Sequence, residues 1–131
     1  MYCWHSVEGY SKFGSYQGDD SVALDGAFIY TGFKPAFLIF KRANTGSAGF
    51  WGILDAARSI NNPVGGTNTD SPLHANENFS EVQTAGAYHT DFLSNGFKFR
   101  STQGAGSINT TGGTYIYMAF AESPFKYSAG R

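Results

Sequence analysis

The sequence predicts an all-β fold, a single domain built as an antiparallel β-sandwich of jelly-roll outline. Three observations point there. Aromatic residues make up 17% of the 131 residues, as 12 Phe, 8 Tyr and 2 Trp, and such side chains suit a pleated surface. Glycine occurs 17 times, roughly twice the ~7% average usage, and supplies tight turns between short strands. No stretch keeps a helical apolar period over several turns, whereas short runs bounded by turn residues recur along the chain.

In chain order, Lys12-Phe13-Gly14-Ser15-Tyr16 alternates weakly and reads as an edge strand. Ala27-Phe28-Ile29-Tyr30-Thr31 is a second run and ends at Gly32. Pro35 then opens Ala36-Phe37-Leu38-Ile39-Phe40-Lys41-Arg42. That run is apolar at both alternate sets, which predicts a central strand buried on each side. Phe50-Trp51-Gly52-Ile53-Leu54-Asp55 follows a polar turn, and Gly52 within it marks either a bulge or a close backbone approach. The clearest alternation is Phe97-Lys98-Phe99-Arg100, with two rings on one side and two cations on the other. The Asn95-Gly96 pair before it favours a primed hairpin turn back to Asp91-Phe92-Leu93. Finally, Thr114-Tyr115-Ile116-Tyr117-Met118-Ala119-Phe120-Ala121 follows Gly112-Gly113, and its two bulky alternate sets predict another central strand. Residues 76–82 offer at most one helical turn, and residues 61–71 form the longest loop.

Composition excludes several functional classes. Hydrophobic residues reach 41% and charged ones 15%, enough apolar side chain for a real core. The formal charge is −1, from 9 basic and 10 acidic residues with no Lys/Arg cluster. Nothing therefore draws the chain to a phosphate backbone or an anionic membrane. The longest apolar run, residues 36–40, is too short to cross a bilayer. Cys3 is the single cysteine, so the fold needs no internal disulfide, and it reads as a small buried hydrophobe. The abrupt start Tyr2-Cys3-Trp4-His5 reads as the interior of a longer polypeptide, with Met1 an added start. On that reading residues 1–131 are one domain of a larger protein.

Several residues are candidates for a site. Asp55 and Arg58 stand three apart at the end of a strand, and an ion pair that orders the strand exit is the favoured reading. His5, His74 and His89 lack the close spacing of a zinc motif. Asp19, Asp20 and Asp25 lie near Gly18 and Gly26 without EF-hand spacing, so they read as solvated turn residues. No cofactor or metal is predicted, although calcium held by separate loops stays open as an alternative. Glu8, Asp55, Glu77, Glu81, Asp91 and Glu122 show no paired motif for glycoside hydrolysis, and no nucleophile triad or phosphate-cradling loop is present. Asn78-Phe79-Ser80 fits the N-glycosylation pattern. Trp51, Tyr88, Tyr10 and Tyr127 are candidates to stack on sugar rings. The preferred ligand-binding cluster is Tyr88, His89 and Asp91 on an exposed polar loop, with Trp51 and His74 in support.

The string Gly32-Phe33-Lys34-Pro35-Ala36-Phe37-Leu38-Ile39-Phe40-Lys41-Arg42 resembles the signature of a domain found in phage structural proteins. Those proteins are tail-fibre-like or uncharacterised virion proteins of marine and cyanobacterial phages. Four further blocks follow in the same order as in that family. They are Leu54-Asp55-Ala56-Ala57-Arg58, then Leu73-His74-Ala75-Asn76, then residues 91–99 around Ser94-Asn95-Gly96-Phe97, and last Thr114-Tyr115-Ile116-Tyr117-Met118-Ala119-Phe120. Residues 2–7 and 11–16 also resemble the way these domains begin. The resemblance implies a lectin-like β-sandwich and a place in the virion, and it implies no catalytic residue. The expected function is non-catalytic recognition of a host-surface glycan. The alternatives are a structural module for oligomerisation, as a homo-trimer for instance, or for capsid or tail decoration, and, third, a glycan-degrading enzyme.

Overall fold

The computed structural model describes residues 1, 3–19, 25–44, 50–59, 62, 64, 72–78, 88–100 and 108–124. Eight strands lie among them: β1 (Ser11–Gln17), β2 (Phe28–Tyr30), β3 (Pro35–Arg42), β4 (Trp51–Asp55), β5 (Leu73–His74), β6 (Thr90–Leu93), β7 (Gly96–Phe99) and β8 (Thr114–Ala121). No helix occurs among the described residues. The strands make two antiparallel sheets, one of five strands in the order β1-β8-β3-β4-β5 and one of three in the order β2-β7-β6. The architecture is all-β and sandwich-like.

The core lies where the two sheets face each other. Tyr16, Leu38, Phe40, Leu54, Tyr115, Tyr117 and Ala119 come from the larger sheet, and Ile29, Phe92, Phe97 and Phe99 from the smaller. Their rings interlock across the gap: Tyr16 meets Phe99 at 5.0 Å and Phe97 at 6.5 Å between centroids, and Phe97 meets Tyr117 at 5.3 Å. Tyr16 and Tyr115 are direct partners on β1 and β8 and stack at 4.8 Å with planes 6° apart. Both hydroxyls reach backbone outside the strands. Tyr16 Oη donates to the Ile108 carbonyl at 2.7 Å, and Tyr115 Oη accepts from the Thr110 amide at 3.1 Å. A buried phenol keeps its polar tip only with such a partner.

The predicted elements match closely, with instructive differences. β8 and β3 are interior strands as expected, but their second faces are not core. Tyr115, Tyr117 and Ala119 are buried, while Ile116, Met118 and Phe120 on the opposite face stay partly open. The same split separates buried Leu38 and Phe40 from partly open Phe37 and Ile39. The expectation that β3 is buried on both sides is therefore corrected. β5 has only two residues, too few for a period to show in the sequence. Of residues 76–82, positions 76–78 form a turn and a bend-like exit, and the rest lie outside the described residues. The 61–71 loop is described at Asn62 and Val64, and both tie to β6: Asn62 Oδ1 accepts from the Phe92 amide at 2.8 Å, and Val64 bridges Thr90.

Two glycines need their lack of a side chain. Gly52 is in register between Phe40 and His74, so it marks no bulge. A Cβ there would stand 2.3 Å from the Phe40 ring, which makes it the close approach the sequence allowed. Gly96 pairs directly with Leu93, so the two-residue hairpin loop is Ser94-Asn95 and not Asn95-Gly96. Its role is different from the turn expected: a Cβ at Gly96 would stand 2.2 Å from the Ile29 carbonyl oxygen on β2.

Two consequences are testable. Gly52→Ala should destabilise the fold by about 1–3 kcal/mol through overpacking against Phe40, read as a lower urea midpoint with unchanged slope. An unchanged midpoint would mean the ring moves aside freely. Burial, assisted by the neighbouring Tyr115, pushes the Tyr16 hydroxyl well above its ordinary pKa, and burial raises Tyr117 as well. The unfolded chain then ionises first, so this stability is fully present below about pH 10 and is lost as pH rises above it. Urea midpoints across the alkaline range should fall there, and less steeply in Tyr16→Phe. A profile identical in the variant would remove Tyr16 as the cause.

Candidate functional site

The predicted site residues do not converge on one opening. Tyr88 is 7% exposed and packs edge-on to Phe50 at 6.3 Å. The expectation of an exposed loop ring is corrected there, because the chain just before β6 turns inward to the core. His74 lies in the same aromatic layer, stacked on Phe50 at 3.8 Å with Nδ1 3.0 Å from the Glu77 carboxylate. Its ring is inward because its strand partner is Gly52, a core-facing position. Asp91 is held by Arg100 at 2.6 Å, and the His89 carbonyl accepts from the Arg100 amide at 2.7 Å. Trp51 lies on the opposite face of the five-stranded sheet, with the Lys41 ammonium 5.6 Å from its ring centroid. Phe50 thus joins Tyr88 to His74, while Trp51 lies on the opposite sheet face and Asp91 pairs with Arg100.

Asp55 and Arg58 form the expected strand-exit pair: the Arg58 side chain donates to Asp55 Oδ2 at 2.5 Å and its amide to Oδ1 at 2.8 Å. Asp19 accepts from the Asn109 side-chain amide at 2.7 Å. Asp25 is bound by Lys98, and that hydrogen bond with the Lys98 charge outweighs desolvation and holds its carboxyl below the usual carboxylate range, with a lesser contribution from the Arg100 charge. Asp20 and Tyr127 lie outside the described residues. Cys3 is exposed, correcting the buried reading: it precedes β1 on a segment that stays outside the core. Among the described residues no three His, Cys, Asp or Glu side chains gather as a metal-ligand set.

A cleft of about 490 Å³ opens where β1 begins and β2 ends. That volume is in the range of small-ligand sites. One wall is the turn ahead of β1, closed by the Tyr10 and Ser11 amides on the Val7 carbonyl at 3.0 and 2.9 Å, with Gly9 at φ 69°. The other wall is the β2–β3 turn, where the Thr31 and Gly32 amides donate to the Asn95 carbonyl at 3.0 and 3.1 Å. Gly32 has φ 86°, a conformation that favours glycine. The turns bring Glu8, Lys12, Ser6, Ser123 and Tyr30 to one opening.

Tyr30 is the notable member, 64% exposed. Its cross-strand neighbour on β7 is Gly96, so no side chain covers the ring from that strand. Ser6 Oγ accepts from the Phe13 amide at 3.1 Å, and Thr31 Oγ1 donates to the Phe33 carbonyl at 2.6 Å, which fixes both walls. The cleft therefore combines an aromatic face, one carboxylate, one ammonium and hydroxyls, a set suited to binding a polyhydroxylated ligand by stacking and hydrogen bonds. Sequence reasoning missed Tyr30. Its alternation with Ile29 was visible, but not which of the two faced the core.

A second opening, of about 290 Å³, includes Lys34, Asn62, Phe92 and Glu122. Lys34 and Glu122 pair across it at 2.9 Å, so its charges satisfy each other.

No curated protein and no solved structure matches the chain significantly. A family model described as a domain of unknown function (DUF7483) matches residues 1–124 of the 131, and the chain therefore belongs to that family.

Proposed function

We propose that the domain is a non-catalytic recognition module of a phage virion protein, folded as a lectin-like jelly roll, that takes a host-surface glycan in the cleft beside Tyr30. The observation that carries this reading is the uncovered Tyr30 ring, 64% exposed, at the mouth of a cleft with Glu8, Lys12 and serine hydroxyls. Sugar C–H faces pack on such rings while carboxylates and hydroxyls hold the sugar hydroxyls. The resemblance of the five ordered blocks to domains of phage structural proteins supplies the setting. On this reading the domain acts at the particle surface, with a glycan as its partner and no bound cofactor. A second reading, a structural oligomerisation or decoration module without a ligand, is favoured by the apolar outer face of the five-stranded sheet.

The test is binding of the purified domain, clustered on beads, to an array of bacterial envelope polysaccharides. Clustering raises a weak single-site affinity to a readable level. Tyr30→Ala should weaken selective binding about tenfold and leave the melting temperature unchanged, because the ring is exposed. Tyr88→Ala should instead cost about 3 kcal/mol or more of stability by leaving a core cavity. Selective binding untouched by Tyr30→Ala would move the site elsewhere, and no binding by the folded domain would reject the glycan reading.

A further inference from the structure

The cleft beside Tyr30 holds two charges that pair with nothing else in the described fold. Among the described residues, every acidic and basic side chain other than Glu8 and Lys12 has a partner. Asp19 and Arg42 have side-chain amides, Lys41 has the Trp51 ring, Glu77 has the His74 imidazole, and the others have an opposite charge. Glu8 and Lys12 form no ion pair with those groups or with each other, and both line the same opening.

The two are not equivalent. Glu8 is exposed on the turn ahead of β1, where water satisfies a carboxylate. Lys12 is only partly exposed and belongs to an inward-facing row. It is registered with Ala119 of β8, Ala119 with Leu38 of β3, and Leu38 with Leu54 of β4. Ala119, Leu38 and Leu54 are each 0% exposed. A core-facing row thus ends in a lysine at the sheet edge, and Ala119 beside it offers only a methyl group. Taking a cation out of water without a partner is costly, so this position gains most from a ligand that brings an anion. An inward-facing lysine on an edge strand also discourages edge-to-edge sheet pairing. That role accounts neither for the cleft that Lys12 lines nor for Glu8 at the same opening.

The remaining groups suit a sugar that carries such an anion. The Tyr30 ring borders Gly32, at which a Cβ would stand 3.5 Å from the phenol oxygen. Ser6 Oγ accepts from the Phe13 amide, which leaves its hydroxyl proton for a ligand. A simple anion would use Lys12 and neglect the ring, whereas a neutral sugar would use the ring and leave Lys12 unpaired. Only an acidic sugar engages both, and its hydrogen bond to the ammonium is of the strong, charge-assisted kind.

Building on the glycan reading of this cleft, we infer that it selects anionic saccharides, with Lys12 reading the charge through a carboxylate or phosphate on the sugar. Glu8 accepts from sugar hydroxyls, and its own charge keeps the anion at the Lys12 side.

The bead-clustered domain is tested against bacterial envelope polysaccharides in three forms: native, with uronate carboxylates reduced to alcohols, and with phosphate substituents removed. Binding should be confined to acidic polymers and lost on whichever treatment removes their anion, which also separates the two sources. Lys12→Gln should weaken it about 10–100-fold and flatten its salt dependence, with the melting temperature unchanged or higher. Glu8→Gln should tighten it, since the amide oxygen still accepts while the like charge is gone. Binding that survives both treatments, or that is indifferent to Lys12→Gln, would overturn the inference. So would loss on Glu8→Gln with Lys12→Gln silent, which would mark a cationic sugar. Neutral polysaccharides bound through Tyr30 would leave the glycan reading standing and remove this one, whereas a folded domain that binds no polysaccharide would remove both.

Discussion

The stacked pair of Tyr16 and Tyr115 is the contact on which most of the structure depends. It joins β1 to β8 on the inner face of the larger sheet, and Tyr16 then reaches Phe97 and Phe99 of the smaller one. The two hydroxyls extend the same contact outward, to the Ile108 carbonyl and the Thr110 amide, and so anchor the approach to β8. One pair of rings thus fixes strand register, sheet-to-sheet spacing and the path of a connection. A phenylalanine pair would supply the first two but remove the partner of the buried Ile108 carbonyl and of the part-buried Thr110 amide, and a buried group left unpaired costs more than a hydrogen bond gains. Tyr16 and Tyr115 stand in a core of phenylalanine and aliphatic side chains for this reason.

The larger sheet is apolar on both faces, and only one of them meets the smaller sheet. A three-stranded sheet cannot dictate apolar residues on the far side of its partner. Packing between the sheets accounts for Leu38, Phe40, Tyr115 and Tyr117, and Trp4 and Phe120 pack on Phe13, but Ile39, Ile53 and Met118 stay partly open on a face that would normally be polar in a sheet that faces water.

Strand positions were legible because turn residues bracket runs of aromatic and β-branched side chains. Asp55 and Arg58 were also legible, since a pair three residues apart at a strand exit can meet without help from the rest of the fold. What a single strand cannot reveal is which of its faces is inner. β3 and β8 are bulky at both alternate sets, and only the second sheet breaks the tie. The same ambiguity hid Tyr30, whose neighbour Ile29 points inward, and misplaced Tyr88, which follows a polar stretch yet turns into the core. Asn95-Gly96 was misread because its glycine answers to the nearby Ile29 carbonyl on another strand, not to the turn. Long-range neighbours decided each of these, and local pattern carries no record of them.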